Sequence, residues 1–313
     1  MRARPTTIVF LLTSALAGAG LALACTGDDP KPTAGGADAS ATDASTADGA
    51  SPSPDGSSTA DGGADAASDS ASDAPAAFDP KSIPGLVLWL DPAAGVTETG
   101  GKVSAWKDQS ASSITVTQTN AANQPAKGNV GGKPVIAGTA TTWLEASGTA
   151  VGTKLDFGDG DMLAELVVST EVTSVGLGGV LYKVIEDVAP YDGLQMYGNI
   201  SLDGKPGIGL DGDSLLLKAA AGNMADGKLH LVGFRRSGDR LYLSLDGVAG
   251  VATPPSSSNK RAVDNTSPLR VGGRPSGVHS IVHKLGDVVI YKGAVAPAQV
   301  TELEAYLKAK NGI

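Results

Sequence analysis

Five consecutive apolar residues, Leu86-Val87-Leu88-Trp89-Leu90, stand between a Pro84-Gly85 pair and an Asp91-Pro92 pair. A run this short, closed at both ends by turn formers, reads as a strand covered on both faces. Such a strand needs neighbours beside it and packed layers above and below. The segments that follow supply them. Val103-Ser104-Ala105-Trp106-Lys107-Asp108 alternates apolar and polar residues, as does the β-branched stretch 114–118. Residues 131–136 and 142–145 are two more short segments, and 162–168 is a longer apolar strand. Further strands are expected at 180–184, 194–197, 200–202, 269–273 and 285–291. The clearest hairpin pairs 229–235 with 241–245, where Leu241, Leu243 and Leu245 share one face and Tyr242 and Ser244 take the other.

Turn chemistry punctuates the middle of the chain. Asp203-Gly204, Asp211-Gly212, Asp226-Gly227 and Asp246-Gly247 supply the positive φ angles of tight hairpins. That accounts for these aspartates without metal ligation. Only the C-terminus changes period. Pro297 suits a first helical turn, and Val300, Leu303, Tyr306 and Leu307 recur at helical spacing. Glu302 and Glu304 precede Lys308 and Lys310, the order the helix dipole prefers, and Asn311-Gly312 supplies a stop. One short helix of about 13 residues is expected there.

The first 78 residues are of another kind. Residues 26–78 are Ala, Asp, Ser, Gly, Thr and Pro with almost no large apolar side chain. They cannot bury enough surface to offset ordering entropy and are expected to form a disordered tether. Ten aspartates against one lysine give that stretch a charge of −9, which extends it. Residues 1–25 follow a secretory signal, with Arg2 and Arg4 ahead of an apolar stretch that ends in Ala22-Leu23-Ala24-Cys25. The remainder, 79–313, holds 21 basic and 23 acidic residues. A nearly neutral domain without a basic stripe argues against a nucleic-acid partner.

Cys25 is the one cysteine in the chain, so no disulfide framework is expected. Its position resembles a bacterial lipobox, although Ala22 stands where the usual leucine would be. The resemblance implies lipidation of Cys25 and anchoring to a bacterial membrane; stable anchoring takes more than one acyl chain. Thr26, rather than Asp, follows the cysteine, which by the sorting rule of enteric lipoproteins points to the outer membrane.

Three stretches, in order, resemble the concanavalin A-like, laminin G-like jelly-roll domains of bacterial surface proteins. The first is 85–91 with 103–110, similar to a "GLVLWLDA…V…W.D.SG" opening. The second is 228–234 with 241–247, similar to a central hairpin that ends in Asp-Gly. The third is 285–291 with the helix at 297–310, similar to a closing strand and helix. The chain departs from the pattern at Ser110-Ala111-Ser112, where a Ser-Gly-Asn turn is usual. The resemblance spans roughly residues 82–313. It implies an all-β fold: a two-sheet antiparallel jelly-roll sandwich with one short C-terminal helix. It also implies the chance of a calcium ion at a loop edge, for which no ligands can be assigned from the sequence.

Chemistry is sparse. A glycoside hydrolase needs two carboxylates flanking the scissile bond, and the compact Glu-x-Asp-x-Glu strand motif of some enzymes on this scaffold is absent. Glu165 lies on a strand, but Asp161 and Glu171 have the wrong spacing to partner it. His230, His279 and His283 have no cysteine or carboxylate at zinc-site spacing, and His230 is read as a packing residue. No phosphate loop, dinucleotide fingerprint or nucleophile elbow occurs. Trp89 and Trp106 fall within strand patterns and are expected in the core. Trp143, on a weak Thr-rich strand, and Tyr191 and Tyr197, near Asp192-Gly193, are the candidate ligand contacts. The expectation is a non-catalytic surface lipoprotein presenting a binding module for a glycan or protein. The alternatives are a divergent polysaccharide hydrolase and a structural matrix protein.

Overall fold

The structure, a computed structural model, describes residues 78–171, 177–185, 192–200, 203–210, 215–219, 221–273 and 280–313. Cys25, Tyr191 and His279, and with them the expected signal and tether through residue 77, lie outside the described residues.

The described residues form seventeen strands, mostly short, in one connected antiparallel network. In chain order these are β1 (Leu86–Leu90), β2 (Val96–Thr99), β3 (Lys102–Lys107), β4 (Thr115–Thr117), β5 (Ala126–Val130) and β6 (Lys133–Gly138). Next come β7 (Trp143–Ala146), β8 (Met162–Thr170), β9 (Gly178–Val184), β10 (Gly193–Asn199), β11 (Gly207–Leu210) and β12 (Leu215–Lys218). The last are β13 (His230–Ser237), β14 (Arg240–Leu245), β15 (Val248–Ala252), β16 (Leu269–Gly272) and β17 (His283–Lys292). A single turn of helix, α1 (Gly148–Val151), and the C-terminal α2 (Pro297–Asn311) complete the regular elements used below. Residues 201–202 are not described, and Ile200 lies outside any strand.

Pairing divides the strands into two runs. One passes β5–β6–β17–β8–β13–β14–β15, with β1 on the same edge of β17 as β6. The other passes β2–β3–β4–β7–β16–β9–β10–β11–β12. Among the described residues the runs meet only where Lys102 pairs with Ala126 and at the isolated bridge between Gly179 and Ser280. Both contribute to one apolar cluster: Leu88, Ala164, Phe234 and Ile290 from the first, and Leu144, Leu181, Met196 and Val271 from the second.

Because side chains alternate along a strand, the first run has a second face. Trp89, Leu163, Val167, Leu231, Val289 and Tyr291 lie there in a separate apolar cluster with Leu303 and Leu307 of α2. Burying each of those leucines contributes about 2 kcal/mol. The stripe expected from sequence is the one that docks. Pro297 opens the helix, and Gly312, at φ 73°, closes it with its N–H on the Lys308 carbonyl. The opening motif now has a mechanism. Asp108 accepts from the Trp89 N–H at 2.8 Å, the Ser110 N–H at 2.7 Å and the Ser110 hydroxyl at 2.6 Å, which ties the end of β3 to β1. Ser113 takes φ 54° in the turn where the sequence departs from the family pattern. The Asp-Gly reading holds at the β14–β15 hairpin, where Asp246 has φ 56° and Gly247 has φ 77°.

Candidate functional site

The face of the second run that points away from the core carries a row of polar and aromatic side chains. On β7 it offers Trp143 and Glu145, since Leu144 and Ala146 belong to the core. Glu145 is in register with Arg270 of β16, Arg270 with Tyr182 of β9, Tyr182 with Gln195 of β10, and Gln195 with Gly209 of β11. Tyr197 follows two residues along β10, opposite Gly207. Arg270 donates through Nε to Glu145 Oε2 at 2.6 Å, and the Tyr197 hydroxyl donates to Gln195 Oε1 at 2.8 Å. The Tyr182 hydroxyl lies over Gly179, where any side chain would collide with it. The neighbouring strand is covered too, with the Ile200 side chain seated over Gly207, and Tyr182 and Gln195 are themselves buried.

Of the sequence candidates, Trp143 is half-buried at one flank of this face. Tyr197 is on the same face but buried, three strands away, roughly 14 Å at ordinary strand spacing. They therefore do not form one stacking platform. Trp89 and Trp106 are buried; the indole of Trp106 donates to the Asp91 carbonyl at 2.9 Å.

His230 corrects the packing assignment. Its ring bridges two turn aspartates, with Nδ1 2.9 Å from Asp246 Oδ2 and Nε2 3.0 Å from Asp226 Oδ1. Burial pulls its pKa down, but the two carboxylates outweigh this and raise it. Asp226, hydrogen-bonded to His230, is held below its usual range. The partners come from turns on either side of the strand pair: Asp226 stands four residues before His230, whereas Asp246 is brought to it only by the hairpin. His283 is buried with Nδ1 2.9 Å from the Ile281 carbonyl oxygen, and burial lowers its pKa. Among the described residues no group of three or more His, Cys, Asp or Glu side chains is placed to hold a metal ion.

The structure brings together two acids that the sequence reading treated separately, Glu165 as a strand acid without a partner and Glu304 as a helix-dipole residue. On the α2 side of the first run, Glu165 of β8 pairs in register with Gly233 of β13, and Gly233 with Ser244 of β14. Gly233 leaves a gap between them, roofed by Glu304 and Val300 of α2, and the resulting cavity measures about 240 Å3. Glu165 is 1% exposed and neither carboxyl oxygen has a hydrogen-bond partner. Burial first, then the charge of Glu304, pushes its pKa well above the usual carboxylate range, against the opposing pull of Arg235. Burial raises Glu304 too, although the Ser244 hydroxyl donates to its Oε1 at 3.3 Å. Arg235 places its guanidinium 4.4 Å from the centre of the Tyr242 ring. A sequence signal existed for both acids: Glu165 interrupts the apolar face defined by Leu163 and Val167, and Glu304 falls on the α2 stripe between Val300 and Leu307.

Buried cations elsewhere are already committed. Arg236 donates to the carbonyls of Gly160, Arg261 and Gly158 at 2.6–2.7 Å. Lys183 donates to Asp156 at 2.8 Å and to the Asn265 carbonyl at 2.6 Å.

No protein-family model matches the chain, and no curated protein sequence does. Solved structures do resemble it. The binding domain of Paraclostridial Mosquitocidal Protein 1 superposes with a TM-score of 0.52 at 13% identity, over 70% of this chain and 52% of that one. An arabinofuranosidase complexed with arabinofuranosyl-alpha-1,2-xylobiose gives 0.50 at 10% identity, over 67% and 51%. A GH54 a-l-arabinofuranosidase soaked with a cyclic sulfate inhibitor gives 0.50 at 11% identity, over 74% and 60%. The chain spans about half to three fifths of the length of these structures. At such identities the likeness is one of fold: β-rich, and consistent with a jelly-roll type.

Proposed function

We propose that residues 79–313 form a non-catalytic carbohydrate-binding module, built as a two-sheet jelly-roll sandwich and displayed by a lipid on Cys25. The sandwich reading is supported by the two strand runs, joined at isolated pairs and sharing one apolar cluster. The observation that carries the binding reading is the partly exposed group of Trp143, Glu145 and Arg270 on the face away from that cluster, with Tyr182, Gln195 and Tyr197 buried along the same transverse row. Aromatic rings beside planar hydrogen-bonding groups suit a sugar, which offers apolar C–H faces and a rim of hydroxyls. The absence of catalysis is supported by the same row. Its one acid, Glu145, is held by Arg270 at 2.6 Å, and hydrolysis of a glycoside takes two carboxylates about the scissile bond.

A glycan array probed with the full chain tests the binding reading. Binding to at least one glycan class, lost on Trp143→Ala and on Arg270→Ala, is the expected result. Silence across the array, joined to capture of a protein ligand, would move the reading to protein recognition. A fall in the viscosity of any glucan, galactan or arabinan solution would show a hydrolase instead. For the anchor, Cys25→Ser is expected to move the protein from the membrane to the soluble fraction; a variant that stays with the membrane sinks the lipid reading.

A further inference from the structure

The cavity beneath α2 lies on the opposite side of the first run from the shared core, and nothing in the proposed glycan site uses it. Its floor is the backbone of Gly233, where an added Cβ would stand 2.8 Å from both oxygens of Glu165. The carboxyl group thus lies over the glycine, enclosed at the wall of the cavity and without a donor from the described residues. A buried acceptor left unmatched is costly, and a native fold keeps few of them. Among the described residues the cation that acts on both acids is Arg235; it is stacked on Tyr242 and makes no hydrogen bond to Glu165. Across the gap Glu304 adds a second acid to the same space. Leu163 and Val300 give the cavity an apolar side. Two acids facing an apolar slot match one kind of guest: a compact head with several N–H donors on a short aliphatic stem. A cavity of roughly 150 Å3 holds a benzene ring, so 240 Å3 admits a chain of a few carbons.

We propose that the space over Gly233 binds a primary alkylammonium, its head between Glu165 and Glu304 and its chain along Leu163 and Val300. The ammonium keeps its own proton. The carboxylic acid that ionises to receive it releases a proton to solvent, so binding and proton release are coupled. The charged and titratable groups facing the two acids are Arg235 from β13, Tyr242 from β14, Tyr291 from β17 and Lys308 from α2.

Titration calorimetry on the full chain at about pH 6.5, where an alkylamine is fully protonated, tests this with three probes: n-butylammonium, n-butanol and calcium chloride. Saturable one-to-one binding of n-butylammonium is expected, with a Kd of about 1 mM or tighter. Its heat should vary with the buffer's ionisation enthalpy, and n-butanol should bind at least about tenfold more weakly. Glu165→Gln and Glu304→Gln should each weaken n-butylammonium by about tenfold or more. Both keep the side-chain volume, and circular dichroism establishes that they fold; should Glu165→Gln fail, Glu304→Gln carries the test. The proposal is overturned by any of four results: no saturation, equal binding of n-butanol, undiminished affinity in a folded variant, or preferential binding of calcium that depends on Glu165.

Discussion

Asp287 and Glu165 sit on adjacent strands, on the same side of one run, and both are closed off beneath α2. Asp287 is 0% exposed and Glu165 is 1% exposed. Asp287 is surrounded by donors: the Trp89 indole at 2.9 Å, the Lys310 ammonium at 2.6 Å and the Asn311 amide at 2.9 Å. Lys310 also reaches Asp91 at 2.8 Å. Glu165 has none. The same helix that brings Lys310 and Asn311 to one acid brings Glu304 to the other. Burial alone therefore does not decide what a carboxyl group does. A full set of donors makes Asp287 the fastening point of the C-terminal helix, whereas Glu165 is held in a costly state that a purely structural role does not require.

The largest test of this contrast is Asp287→Ala. It leaves the buried Trp89 indole and one Asn311 N–H without an acceptor and the half-buried Lys310 with Asp91 alone, and a loss of about 2–4 kcal/mol is expected in urea unfolding. A loss below about 1 kcal/mol would mean that α2 is held by its leucines and not by this acid.

Glu165→Met should act in the other direction, stabilising by about 1–3 kcal/mol near pH 8. The sign follows from proton counting. Between the ordinary carboxylate value of 4.5 and the raised folded value, the native state keeps a proton that the unfolded chain has lost. Wild-type stability therefore falls as pH rises through that window, and the advantage of the variant should shrink toward pH 4. A difference that does not change with pH would place Glu165 in the ionised state. Gly233→Ala comes next, at a cost of about 1–3 kcal/mol, because its Cβ enters the space of the Glu165 oxygens and the Ser244 hydroxyl. In a Glu165→Ala background the part of that cost due to the glutamate should vanish while the Ser244 contact remains, and fully additive costs would show that the glutamate is not what the glycine accommodates.

The smallest effect is expected at His230, a partly exposed ion pair. Its pKa is raised by Asp246 and Asp226, so its contribution is full below 6.5 and is lost as pH climbs through the raised value. Comparing wild type with Asp246→Asn at about pH 6 and pH 8 should reveal a few tenths of a kcal/mol, confined to the lower pH.

Much of the scaffold was legible in the sequence where a segment carries its own period. β1, β3, β8, the β13–β14 hairpin, β17 and α2 stand close to where alternation, breakers and helical spacing put them. β2, β5, β11, β12 and β15 were not visible. Lys127-Gly128-Asn129 and Gly207-Ile208-Gly209-Leu210 have weak intrinsic strand preference and become strands because partners lie beside them. The candidate glycan face was legible in part: Trp143 and Tyr197 stand on it, but Tyr182, Gln195 and Arg270 join them only through register across four strands. The acid pair was invisible because Glu165 and Glu304 belong to different elements far apart in the chain. The one available sign was a glutamate where an apolar residue would be expected.

The first strand finds its partner in the last one: Leu88, Trp89 and Leu90 pair with Ile290, Val289 and Val288. About 200 residues of synthesis separate the two halves of that ladder. Until β17 has emerged, β1, β6 and β8 lack an edge that they all need, and until α2 follows, the Trp89 side of the first run remains wet. A ribosome that stops short of His283 releases a chain that cannot close, with unpaired strand edges exposed to proteases and to other copies of itself. The segment from β17 through α2 thus acts as a late check on whether the strands before it can close.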